Sequence, residues 1–261
     1  MKFAANISFM FNEWPALERF MRAADAGFTH VEFLFPEEHD LDELERTIRD
    51  SAVEMILFDS DRGDFARGER GYLCHPGQEA RFQAGMEDAL RVAERLGAHL
   101  INPLAGLIPA GVSTETAKSV AVENLRRVAP KAESAGVTLC VEGLNTNDNP
   151  KYLIDSSRVG FEIVDAVDSP AVKFLYDAYH MQIMEGNLTA TVTNNLDKIG
   201  HIQISDVPGR HEPGTGEINY PNLLSAIKSA GYGGFVSLEY RPANGTLEGL
   251  DWLPRERRAN P

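Results

Sequence analysis

A chain of 261 residues, 43% of them hydrophobic, can bury a substantial core and has the length of one (β/α)8 barrel. Its formal net charge of −14, from 39 acidic against 25 basic residues, argues against nucleic acid or an anionic membrane as a main partner. No apolar run reaches the roughly 18 residues of a spanning helix, and two cysteines, Cys74 and Cys140, make no disulfide framework, so the expected setting is the reducing cytoplasm.

The first residues lack the long apolar stretch of a secretion signal and read as a mature strand over residues 3–9. Helical spacing follows over residues 15–26 (Leu17, Phe20, Met21, Ala24), and Gly27 closes it. Residues 31–35 form the next strand. Asp40 can cap a helix carrying Leu41, Leu44 and Ile48, and a third strand covers residues 53–58. Residues 59–78 are polar and rich in glycine and charge. A loop of that length is usually functional or disordered, and it is expected to wall the site.

Residues 79–96 are helical, with Gly97 at the end, and residues 98–102 make a fourth strand. Ser113 or Thr114 can cap a helix with Ala117, Val120, Ala121, Leu125 and Val128 on one face. Four more strand-like runs occupy residues 137–142, 172–177, 199–203 and 234–239, with helical patterns at 158–167, 188–196 and 220–230 between them. The basic tail, residues 254–258, reads as solvated.

Strand and helix alternate eight times, which calls for a parallel sheet. The strands are nearly continuous apolar runs, as parallel strands covered on both faces should be. A single closed (β/α)8 TIM barrel over residues 1–261 is the expected fold, with an open doubly wound sheet as the competitor. No glycine-rich dinucleotide fingerprint follows the first strand, which weakens that competitor.

The last four strands end on Glu142, Asp177, Gln203 and Glu239, spaced by 35, 26 and 36 residues, each about one strand–helix repeat. A barrel would bring these ends to one rim, where such folds keep their chemistry. A carboxylate closing an apolar strand is costly unless paired or coordinated. One such residue could simply be hydrogen-bonded at a strand end; three together favour a site. Three carboxylates and an amide oxygen suit a hard divalent cation. Gln203 is the softest of the set, since it could bond backbone instead. His180, three residues after Asp177, could be a ligand, a core histidine or, the favoured role, a donor to substrate. His201 shares a strand face with Gln203 and more readily supports the ligands from behind. Arg210, in the glycine- and proline-rich loop after the seventh strand, suits a substrate carboxylate or an anionic intermediate. Glu69 and Arg70 are a weaker pair of the same kind. Two glutamates flanking a metal could move a proton between neighbouring carbons, the work of an aldose–ketose isomerase or an epimerase. His-Glu-x-x-His, Gly-x-Ser-x-Gly and Walker motifs are absent.

Several segments are similar to the hydroxypyruvate isomerase family of xylose-isomerase-like barrels, itself related to the 2-oxo-tetronate isomerases and ketose 3-epimerases. They are Asp177-Ala178-Tyr179-His180-Met181-Gln182-Ile183-Met184-Glu185-Gly186, Gly200-His201-Ile202-Gln203-Ile204-Ser205-Asp206 running on through His211 to Tyr220, Val31-Glu32-Phe33-Leu34-Phe35-Pro36 and Gly68-Glu69-Arg70-Gly71. The resemblance covers nearly the whole chain. It implies interconversion of hydroxypyruvate and tartronate semialdehyde, or turnover of a related 2-oxo acid. It implies Mg²⁺ or Mn²⁺ at Glu142, Asp177, Gln203 and Glu239, with Glu142 and Glu239 as the proton-transfer pair and His180 and Arg210 on the substrate. It also implies a homo-oligomer. Glu142-Gly143-Leu144-Asn145 stands where the isomerases usually have Glu-Pro-Ile-Asn, and Gln203 stands where the epimerases usually have histidine. The alternatives are a sugar 3-epimerase with the same metal and glutamates, and a barrel that binds sugar acids without turnover.

Overall fold

The computed structural model describes residues 1–259. Eight parallel strands close on themselves in chain order: β1 (Lys2–Asn6), β2 (His30–Glu32), β3 (Glu54–Ser60), β4 (Leu100–Pro103), β5 (Thr138–Glu142), β6 (Val172–Asp177), β7 (Ile199–Ile204) and β8 (Phe235–Leu238). Closure comes from β8 pairing with β1, Phe3 opposite Val236 and Ala5 opposite Leu238. The open-sheet alternative is excluded by that pairing. The helices are α1 (Glu18–Asp25), α2 (Leu41–Ser51), α3 (Glu79–Leu96), α4 (Thr114–Ser134), α5 (Ser157–Val167), α6 (Ala178–Met184), α7 (Leu188–Asn194), α8 (Tyr220–Ser229) and α9 (Arg255–Arg258). Among the described residues no helix is long and apolar enough to cross a membrane.

Local chemistry sets the helix ends. Asp40 accepts from the Glu43 amide at 2.9 Å to start α2, and Ser113 accepts from the Thr116 amide at 3.1 Å to start α4. Gly97 ends α3 at φ +76°, a conformation that a Cβ disfavours. Most of the core lies between the strands and the helices, built on residues such as Phe20, Leu44, Met55, Phe58, Leu125, Ile163 and Phe174. A second, small cluster fills the barrel bore: Ala4, Ile56, Leu57, Leu100, Cys140 and Leu175.

Three expectations need adjusting. The third strand runs two residues further than its apolar pattern, so Asp59 and Ser60 belong to β3 and not to the loop. The segment after Asp177 is a helix, α6, that the sequence reading had passed over. The basic tail is exposed over residues 254–257 as expected, but Arg258 is drawn half inside. It forms α9, where Arg258 donates to the carbonyls of Leu253 (2.8 Å), Leu250 (2.9 Å) and Ala26 (3.0 Å).

Candidate active site

Side chains along a strand alternate between its faces. The bore-filling residues Ala4, Leu57, Leu100, Cys140 and Leu175 therefore share a face with the residues two positions on: Asn6, Asp59, Asn102, Glu142 and Asp177. The same step from His30, His201 and Ser237 gives Glu32, Gln203 and Glu239. Each strand thus delivers one polar side chain to a layer at the C-terminal mouth, all eight at most 7% exposed. Glu239 lies just past β8 but its amide still bonds Ile204 at 3.1 Å.

The four strand ends singled out above, Glu142, Asp177, Gln203 and Glu239, come together here. Arg210 joins two of them: its guanidinium donates to Asp177 at 3.3 Å and makes a short bond to Glu239. It lies over the rings of Phe9 (4.6 Å) and Tyr179 (5.0 Å), and its Nε–H is buried without a partner. Arg210 is held by a loop folded around Asp206, whose buried carboxylate accepts from the amides of Val207, Gly214, Gly216 and Ile218 at 2.9–3.0 Å. His180 lies with Glu142 and Asp177, their candidate donor atoms within 4.8 Å of one another. Asp177 caps α6 by accepting from the Tyr179 amide at 2.7 Å, which leaves its other oxygen, Oδ2, facing His180 (3.5 Å) and Arg210.

Burial dominates the electrostatics. It drives the Glu142 carboxyl well above its ordinary value, and the nearby Asp59 and Asp177 add to the rise. Glu239 is also raised, first by burial, but Arg210 pulls against that rise. Asp59 is pushed up to about 8 by burial, against a hydrogen bond from Asn102. Burial pulls His180 down to about 3, so its imidazole is neutral.

The other half of the layer was missed by the search for ligand-type strand ends. Asn102 bridges Asp59 (3.0 Å) and Glu142 (2.9 Å). Asn6 donates to Glu32 (2.9 Å) and Glu239 (3.0 Å), and Gln203 Nε2 donates to Glu32 (3.0 Å) and Glu239 (3.3 Å). His201 makes a short bond to Glu32, so it backs the layer through that carboxylate. Glu32 carries the same signal as the others, an acid closing a buried strand. Glu69 and Arg70 are not hydrogen-bonded to the layer. On the β3–α3 loop Glu69 accepts from Tyr72 and from the Asp64 amide (2.5 Å), and Arg70 stacks on Phe65 (3.7 Å) and reaches Asn149 (3.3 Å).

The donor set fits a hard cation. Gln203 spends its Nε2 on the two carboxylates, while its carbonyl oxygen is buried with no hydrogen-bond partner. An unpartnered buried acceptor costs about 1–3 kcal/mol, a cost that a cation would remove. Asp177 lies opposite Gln203 across the β6–β7 pair, Glu142 and Glu239 share its layer, and carboxylate and amide oxygens are the donors that hard divalent cations take.

A family model described as a xylose isomerase-like TIM barrel matches residues 20–256. The chain is 43% identical to the hydroxypyruvate isomerase of Escherichia coli K12 over 253 residues, 97% of this chain and 98% of that protein. It is 42% identical to the 2-oxo-tetronate isomerase of Cupriavidus necator over 252 residues, 97% of each. A crystal structure from Brucella melitensis, named as an AP endonuclease of family 2, matches with a TM-score of 0.94 at 41% identity, covering 98% of this chain and 99% of that one. The chain belongs to the xylose isomerase-like TIM barrels and, within them, to the hydroxypyruvate isomerase family.

Proposed function

We propose that this protein is a divalent-metal-dependent isomerase of hydroxypyruvate or a closely related 2-oxo sugar acid, with Glu142 and Glu239 as its proton-transfer pair. One observation carries the reading: Glu142, Asp177, Gln203 and Glu239 meet in one buried layer, with the Gln203 carbonyl oxygen unpartnered. Full-length relatives named as isomerases of such acids support it. The −14 net charge favours a small substrate over a nucleic acid, whatever the Brucella neighbour is called.

Magnesium or manganese held by Glu142, Asp177, Gln203 and Glu239 would supply positive charge beside the negative charge that develops on the substrate oxygens. The two glutamates differ in surroundings. Burial raises both, but at Glu239 the largest charge influence is Arg210, which lowers it, whereas at Glu142 Asp59 and Asp177 add to the rise and outweigh Arg210. Glu239 is therefore the base that takes the C3 proton of hydroxypyruvate, and Glu142 the acid that gives a proton to C2. The hydroxyl proton passes from O3 to O2, which leaves an aldehyde at C3 and completes tartronate semialdehyde. His180 and the free Nε–H of Arg210 would donate to substrate oxygens.

Incubation of the Mg²⁺-loaded protein with hydroxypyruvate and four-carbon 2-oxo acids in deuterated water, read by product NMR, tests this. Aldehyde product bearing solvent deuterium is expected. Inversion of a carbinol carbon with the carbonyl unmoved would make the protein an epimerase, and binding without exchange would remove the catalytic reading altogether.

A further inference from the structure

His180 is a neutral imidazole whose two nitrogens face different partners. Nδ1 accepts from the backbone N–H of Asn145 at 3.0 Å and lies 2.7 Å from Asn145 Nδ2. A backbone amide can only donate, so Nδ1 carries the lone pair and Nε2 carries the proton. Nε2 lies 3.5 Å from Asp177 Oδ2, on the side of the carboxylates. Asn145 is itself fixed. Its Nδ2 donates to Asp148 Oδ2 at 2.8 Å, and its Oδ1 accepts from the Asp148 amide at 2.9 Å. His180 and Asn145 are at most 1% exposed, so no solvent competes for the bonds between them.

The chain makes room for the contact. A Cβ at Gly143 would lie 2.9 Å from Met181 Cε and 3.1 Å from Phe174 Cζ. Gly143 thus packs the turn after β5 directly against Met181 of α6, the helix that carries His180.

Resting on the function proposed above, we infer that Asn145 is a positioning residue that locks His180 in the Nε2–H tautomer, so that the imidazole offers a proton to a substrate oxygen and is barred from the metal's ligands. An Nε2 lone pair would require the proton on Nδ1, aimed at the Asn145 amide hydrogen. Two donors would then face each other in a buried site with no acceptor between them. The proximity of Glu142, Asp177 and His180 is therefore not a ligand triad; Gln203 and Glu239 would hold the ion together with the two carboxylates.

The test is the ring ¹⁵N spectrum of the full chain labelled at histidine, with the His180 signals identified by their loss in His180→Gln. Wild-type protein is expected to show a protonated Nε2 and a bare Nδ1, unchanged on adding Mg²⁺. In Asn145→Asp an acceptor replaces Nδ2 beside Nδ1. This variant is expected to move the proton to Nδ1 and cut kcat about 10-fold or more, with Mg²⁺ affinity held. A wild-type Nδ1–H tautomer, loss of the Nε2 proton on metal binding, or an unaltered ring spectrum in folded Asn145→Asp would each overturn the inference. Absence of hydroxypyruvate turnover in the wild type would strike only the functional reading, because the tautomer is read without substrate.

Discussion

The two halves of the barrel put similar side chains into one layer and use them differently. Strands β5–β8 supply Glu142, Asp177, Gln203 and Glu239; Arg210 bonds Asp177 and Glu239, and His180 lies beside Glu142 and Asp177. Strands β1–β4 supply Asn6, Glu32, Asp59 and Asn102, and these bond chiefly to members of the layer: Asn6 to Glu32 and Glu239, Asn102 to Asp59 and Glu142, Glu32 to Gln203. On the function proposed above, one half would present oxygens to a ligand while the other fixes where those oxygens point. A buried acid therefore does not announce its role. Its neighbours decide it, and substitutions in the two halves should fail in different ways.

The largest effect should come from the presenting half. Glu142→Gln and Glu239→Gln keep the shape and remove the titrating oxygen, so each should lower kcat by about 10²–10⁴-fold and move the melting temperature by only a few degrees. A variant with wild-type turnover would take that glutamate out of the proton path. A variant that unfolds would erase the distinction between the halves.

In the supporting half, Glu32→Ala strips three partners, Asn6, Gln203 and His201, of a fully buried carboxylate. Breaking such a buried network costs about 3–5 kcal/mol, read as a lower urea midpoint, with metal affinity falling as Gln203 loosens. Full stability in this variant would show that the layer does not need its backing.

A smaller, pH-dependent effect should appear at Asp59, whose carboxyl is pushed up to about 8 by burial. In chelator-treated protein the folded state keeps a proton that the unfolded chain has lost between about pH 4 and 8. Stability from this group is therefore whole below that window and declines as pH rises through it. Asp59→Asn removes the titration, so its stability relative to wild type should climb across the window, by at most about 1.4 kcal/mol per pH unit. Parallel curves for the two proteins would place the Asp59 proton elsewhere.

Much of the barrel was legible because its signals are local and repeated. Apolar runs gave all eight strands, and Asp40, Ser113 and Gly97 marked helix ends where the backbone turns. What was missed depends on contacts between distant segments. Helix α6 is short and begins on Asp177, so the chemistry of that segment masked its periodicity. Arg258 looked solvated until the fold brought three carbonyls to it. The three acids and one amide of the last strands were readable because metal-ligand types closed apolar runs. Glu32 closed one too, but its role lies in Asn6 and His201, far away in sequence. The tautomer of His180 depends on the backbone and side-chain amides of Asn145, 35 residues earlier, a contact that no local pattern reveals.

The gathering of four strand ends around a single cation is tested most directly by an anomalous difference map from a crystal soaked in Mn²⁺. One peak is expected at the barrel mouth, coordinated by oxygens of Glu142, Asp177, Gln203 and Glu239, with His180 outside its coordination. A map with no peak there, or with manganese held by His180 in place of Gln203, would contradict the account.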